Sequence, residues 1–127
     1  MPITVEWTNT QKTVALWVIT GDFTGKDVVD AMQVYADLAN SIDHTFFMLM
    51  DFTAASGSAI SALSSFPQIS RSLPKKRAEA IIVVGNSQTI PTATNIFSRV
   101  YGGKFLYFNS MDEAREHLTD AFGIQLD

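Results

Sequence analysis

The sequence contains no cysteine, which removes thiol nucleophiles, iron–sulfur clusters, thiolate zinc sites and disulfide frameworks together. It also suits a reducing compartment. Histidine occurs only twice, as His44 and His117 in no paired spacing, so no set of three or four metal ligands is expected. Long hydrophobic runs are missing too. Phe46 to Met50 and Ala80 to Val84 are the longest, far short of the roughly 18 residues of a membrane span, and they read as core strands. Charge is sparse: charged residues make up 17% of the chain against 46% hydrophobic, the balance of a chain that folds around a core. A net charge of −4, with no Lys/Arg stripe interleaved with aromatics, argues against a nucleic-acid partner. Gly21 and Gly25 flank Asp22-Phe23-Thr24 without the spacing or lysine of a phosphate-cradling loop, so no nucleotide cofactor is expected. Met1 to Trp7 has neither the basic start nor the apolar core of a signal peptide. The expectations are a cytoplasmic protein, no membrane insertion and no cofactor.

What is present is a regular alternation of strand and helix signals. The 127 residues fit one domain, 1–127. Ile3 to Trp7 and Thr13 to Thr20 are β-branched and aromatic runs joined by a short polar connection, an antiparallel pair. Thr24-Gly25-Lys26-Asp27 reads as a capping box. It opens an amphipathic helix over 24–42, with Val28, Met32, Tyr35, Ala36, Ala39 and Ile42 at helical spacing. Phe46 to Asp51 is apolar on both faces, as a covered central strand would be. From Thr53 to Pro74 a broken helix is expected, because Pro67 interrupts the helical spacing of Ile60, Leu63, Phe66, Ile69 and Leu73. Ala80 to Gly85 is a second buried strand, and Pro91 suits the first turn of the helix that follows. Gly102-Gly103 stops that helix, Phe105 to Phe108 is a short strand, and Ser110 to Glu113 is a capping box for a last helix. The order is ββαβαβαβα. It predicts an α/β fold with a mixed sheet of about five strands and four helices, the helices mainly on one face and the first strand at an edge.

In open α/β sheets, ligands bind outside the carboxyl ends of the parallel strands. That edge would collect Asp51, Thr53, Ser56, Gly57 and Ser58 from one loop and Asn86, Ser87, Gln88 and Thr89 from another. Hydroxyls and amides of this kind either satisfy free helix N–H groups or, with helix N-terminal amides, hold an anion or a peptide backbone. Ser56 as a hydrolytic nucleophile would need an adjacent general base, and the order of elements places neither histidine beside it. The chain is expected not to be an enzyme. Arg71, Lys75, Lys76 and Arg77 form the one basic concentration, ahead of an apolar strand that charges would guard.

The stretch Phe97-Ser98-Arg99-Val100-Tyr101-Gly102-Gly103-Lys104-Phe105, leading into Phe108-Asn109-Ser110-Met111-Asp112-Glu113-Ala114, resembles the closing strand and Ser-x-x-Glu-Ala helix start of STAS domains. The layout is similar to the SpoIIAA-like group within that fold, whose bacterial members include anti-sigma-factor antagonists. In those antagonists the strand corresponding to Phe46 to Met50 leads to an Asp-Ser-Ser-Gly turn with a phosphorylated serine. The matching segment here is Ala54-Ala55-Ser56-Gly57, with alanine in place of the adjacent aspartate. The resemblance implies a binding or regulatory domain that engages a protein partner around Ser56, and a phosphorylation site at Ser56. From the residues themselves a second function stays open. Met32, Met48, Met50, Phe46 and Phe47 either fill the core or line a pocket for a small apolar ligand such as a lipid. Trp7 and Trp17 would supply an apolar surface if one sheet face were uncovered, and a homodimer would then cover it.

Overall fold

Ile3–Trp7 and Val14–Gly21 form strands β1 and β2 of an antiparallel hairpin in a computed structural model that describes residues 2–56, 68, 71, 78–85, 89–101 and 104–124. The turn between them is tied by Asn9, whose side-chain amide donates to Thr13 Oγ1 and whose Oδ1 accepts the Thr13 N–H. Helix α1 spans Gly25–Asn40. Its capping box forms in both directions: Asp27 N–H donates to Thr24 Oγ1 at 3.2 Å, and Thr24 N–H to Asp27 Oδ2 at 2.8 Å. Strand β3 runs Phe47–Ala55 and β4 runs Ile81–Val84. Helix α2 covers Thr89–Tyr101, β5 Phe105–Phe108 and helix α3 Met111–Phe122. Ser110 Oγ accepts the Glu113 N–H to start α3, and Gly123 ends it in the left-handed conformation at φ 66°, where glycine has no Cβ to clash.

The five strands lie in the order β1-β2-β3-β4-β5, antiparallel only between β1 and β2. Period-two alternation divides the core. Ala15, Trp17, Ile19, Phe46, Met48, Ile81 and Val83 face one side with Ala31, Met32, Tyr35 and Ala39 of α1 and Ile90 of α2. Val14, Phe47, Leu49, Ile82 and Val84 face the other with Ala114 and Leu118 of α3. Among the described residues, then, α1 and α2 lie on one face of the sheet and α3 on the other. The cause is the chain after β5: the crossovers that carry α1 and α2 keep one hand and one face, whereas α3 follows the last strand and is free of that constraint. Three helices stand among the described residues. Most of the broken helix expected within Thr53 to Pro74 lies outside them; its first residues continue β3, and Gln68 is described in helical conformation. Arg71 is described in helical conformation, and Lys75, Lys76 and Arg77 lie outside.

Both tryptophans sit on the α1 face. Trp17 is fully buried with its ring 5.6 Å from Tyr35, and Trp7 is half-buried with its ring edge-on to Phe46 at 5.9 Å. They therefore do not form the uncovered apolar surface invoked for a homodimer. Val34 is the one large hydrophobic side chain exposed among the described residues, and no described helix is long and apolar enough to cross a membrane.

Candidate functional site at the carboxyl edge of the sheet

The strand order runs without reversal from β2 to β5, and α1 and α2 share a face. A ligand crevice in an open sheet forms where successive crossovers go to opposite faces. The strand order among the described residues has no such switch point.

Asp51 and Thr53 are not loop residues, because β3 continues through them to Ala55. The pairing explains how. Val18 is opposite Asp51 and Thr20 opposite Ala54, so Phe52 and Thr53 together face Ile19, a β-bulge. A bulge frees a backbone N–H from the ladder, and Asp51 takes it up. Its Oδ1 accepts the Thr53 N–H at 2.9 Å and the Thr53 hydroxyl at 2.6 Å. Alternation with Leu49 puts Asp51 on the α3 face. These two residues are thus engaged with each other and stitch the bulge.

Beyond the bulge, β2 and β3 pair to their ends, Gly21 opposite Ala55, and Ser56 is fastened to the same corner. Its N–H donates to Gly21 O at 2.9 Å and its hydroxyl to Asp22 Oδ1 at 3.1 Å. Gly21 has φ 60°, the left-handed conformation that turns the chain out of β2 and that a side chain would strain. The turn brings Asp22 over the end of β3 and leads through Phe23 into the α1 cap. Ser56 and Asp22 are both exposed. Ser56 thus has an anchored position on an exposed corner, and it caps no helix among the described residues. Gly57 and Ser58 lie outside the described residues, as do Asn86, Ser87 and Gln88, while Thr89 begins α2.

Two contacts at this edge were not legible from sequence. The Tyr107 hydroxyl donates to Gly85 O at 2.5 Å and lies 3.2 Å from Asn109 Oδ1, tying the ends of β4 and β5. Gly85 itself allows the close approach of α2, since a Cβ there would stand 3.1 Å from Ile90 Cγ1 and 3.3 Å from Phe52 Cβ.

Neither histidine reaches Ser56. His44 lies at the opposite end of the sheet with Nε2 2.9 Å from Lys12 O. The His117 ring lies 5.1 Å from Phe108 and 5.4 Å from Phe122. No group of three His, Cys, Asp or Glu gathers to hold a metal among the described residues. Met32 and Met48 are buried in the core with Tyr35 and Phe46. A groove of about 380 Å³ lies instead between α2 and β5, lined by Pro91, Thr94, Asn95, Ser98, Phe105 and Tyr107 among others. Its Thr94 and Ser98 hydroxyls donate to carbonyls of their own helix, Ile90 O and Asn95 O, and so are not turned toward a guest.

No family model matches the sequence, and no curated protein is similar to it in sequence. Solved structures do match the fold. A protein of the DUF3478 family with a SpoIIAA-like fold, from Shewanella loihica PV-4, superposes with a TM-score of 0.63 at 18% identity, over 91% of each chain. An anti-sigma factor antagonist from Mycobacterium paratuberculosis superposes with a TM-score of 0.54 at 15% identity, over 93% of this chain and 95% of that one. The architecture is therefore the SpoIIAA-like, or STAS, fold.

Proposed function

We propose that this chain is a regulatory domain without catalytic activity of its own, which engages a protein partner through the carboxyl edge around Ser56. The observation that carries the proposal is the corner itself: an exposed serine held by a backbone bond to Gly21 and a side-chain bond to Asp22. A surface fixed before binding loses little conformational freedom on docking. The fold shared with an anti-sigma factor antagonist supports the same reading. In this assignment Ser56, with Gly57 and Ser58, meets the partner, while Asp51 and Thr53 hold the strand end in place behind it.

Site-specific photo-crosslinking tests the proposal. A photoreactive residue replacing Ala54, which is exposed beside Ser56, is expected to give one discrete product in native lysate. The same residue replacing exposed Glu116 on α3 should give none. Equal labelling from both positions, or no product from position 54, would rule out this edge as the partner surface.

A further inference from the structure

We propose that the outer edge of β5 takes an extended peptide of a partner protein as an added strand, running antiparallel beside α2 and carrying an acidic residue opposite Lys104. Among the described strands β5 pairs only with β4 and so closes one side of the sheet. Ile81 N–H donates to Lys104 O at 2.8 Å and Gly85 N–H to Phe108 O at 3.2 Å. Alternate residues of a parallel strand serve the same neighbour, so Lys104, Leu106 and Phe108 bond toward β4, and Tyr107 turns its N–H and C=O outward. Native proteins guard such an edge with charge or proline. The edge formed by β1 has both, Pro2 ahead of the strand and exposed Glu6 within it. β5 reads Phe-Leu-Tyr-Phe with neither, and each of its residues is half-buried, whereas every residue of β4 beside it is buried. The groove of about 380 Å³ lies against this strand, with Pro91, Phe105 and Tyr107 as apolar walls. Its Thr94 and Ser98 hydroxyls are engaged by their own helix. A guest must therefore find its hydrogen bonds on the strand, and an extended backbone offers one residue a donor and an acceptor together. Antiparallel addition is the more stable per residue, and it sets the pattern of the guest. The peptide residue opposite Tyr107 and the one two places later, opposite Phe105, put their side chains on the groove face. The residue after that stands opposite Lys104 on the other face. There the Lys104 ammonium lies 5.5 Å from the centre of the Phe122 ring and pairs with no carboxylate among the described residues. The recognised segment is therefore apolar, any residue, apolar, acidic.

This edge stands two strands away from β3, and the inference does not rest on the reading of the Ser56 corner. A displayed library of linear nonapeptides is the probe, and selected binders are expected to carry the pattern just given. In calorimetry, N-methylation of the peptide amide opposite Tyr107 should weaken a selected binder about tenfold, and methylation of the next amide, which faces away from β5, by less than about twofold. Lys104→Glu should weaken the same binder about fivefold, with recovery when the acidic peptide residue is exchanged for lysine. On binding, the Tyr107 amide should exchange about tenfold more slowly, with the Leu106 amide, already in the ladder, unchanged. Three results would each overturn the inference: no enrichment over an unrelated protein, binders equally sensitive at both amides, or binding that leaves the Tyr107 amide exchanging as in the free protein. Protection of that amide rising with protein concentration in the absence of peptide would seat a second copy on the edge and overturn it as well. Failure here leaves the crosslinking from position 54 unchanged, and failure of that crosslinking leaves the peptide affinities unchanged.

Discussion

Trp17→Ala is expected to lower the unfolding free energy by about 4 kcal/mol, within the range for removing a large buried aromatic side chain, and Trp17→Phe by only about 1 kcal/mol. Trp17 has no solvent exposure and stands between Val5 and Met50 in the sheet, its ring tilted 58° against that of Tyr35 of α1. Truncation to alanine opens the space between sheet and helix where neither can collapse without moving the other. The small cost of phenylalanine has a separate cause. Trp17 Nε1 is buried with no hydrogen-bond partner among the described residues, and a buried donor left unpaired costs about 1–3 kcal/mol. Phenylalanine loses part of the ring's packing but removes that donor, and the two terms largely cancel. Urea unfolding curves separate the cases. Equal losses for the two variants would mean that the indole N–H is satisfied in solution.

Leu118→Ala should cost about 3 kcal/mol, a fall in melting temperature of about 12 °C for a chain of this size. Helix α3 buries few residues, Ala114 and Leu118, with Phe122 packed on Phe47 at 4.6 Å between ring centroids. Leu118 is its one large side chain with no exposure. Leu49, Ile82 and Val84 beneath it would gain contact with water. A loss below about 1 kcal/mol would be that of a surface position and would mean that α3 is not seated on this face.

The strands and helices were legible where local signals agreed with the fold. Ile3 to Trp7 alternates and pairs as read. Ile81 to Val84 is buried on both faces, as its unbroken apolar run requires, and Thr24 and Asp27 formed the box their spacing announced. The carboxyl edge was less legible. Asp51-Phe52-Thr53-Ala54-Ala55 carries no continuous strand pattern: the apolar run ends at Asp51, and Thr53 reads as the start of a broken helix beside the edge loop. It is extended because Thr20 and Gly21 of β2 offer it ladder partners and because Asp51 pairs the N–H that the bulge frees. Tertiary pairing overrides weak local preference in such a segment. The tie between Asp22 and Ser56 spans 34 positions, and no local spacing rule reaches that far. Its one sequence signal was Gly21, a glycine directly after a strand and before a charged residue, where a left-handed turn is cheapest. His44 shows the same limit. Its place after a helix end suggested an interaction with that helix, yet its ring meets Lys12 O, brought close because Phe47 N–H pairs with Thr13 O. Nor do the helices' apolar faces say which side of the sheet each will take. The hand of the crossovers settles that for α1 and α2, and it does not bind α3.

The central claim is that the corner formed by Gly21, Asp22 and Ser56 is where a protein partner docks. Hydrogen exchange on the complex captured through position 54, compared with the free protein, measures this most directly. Protection is expected at the amides of Asp22 to Thr24 and Ala54 to Ser56, by about tenfold or more at the contact, with Lys12, His44 and the exposed surface of α3 unchanged. Protection confined to α3 or to the turn around Lys12, with the corner exchanging as in the free protein, would contradict the claim.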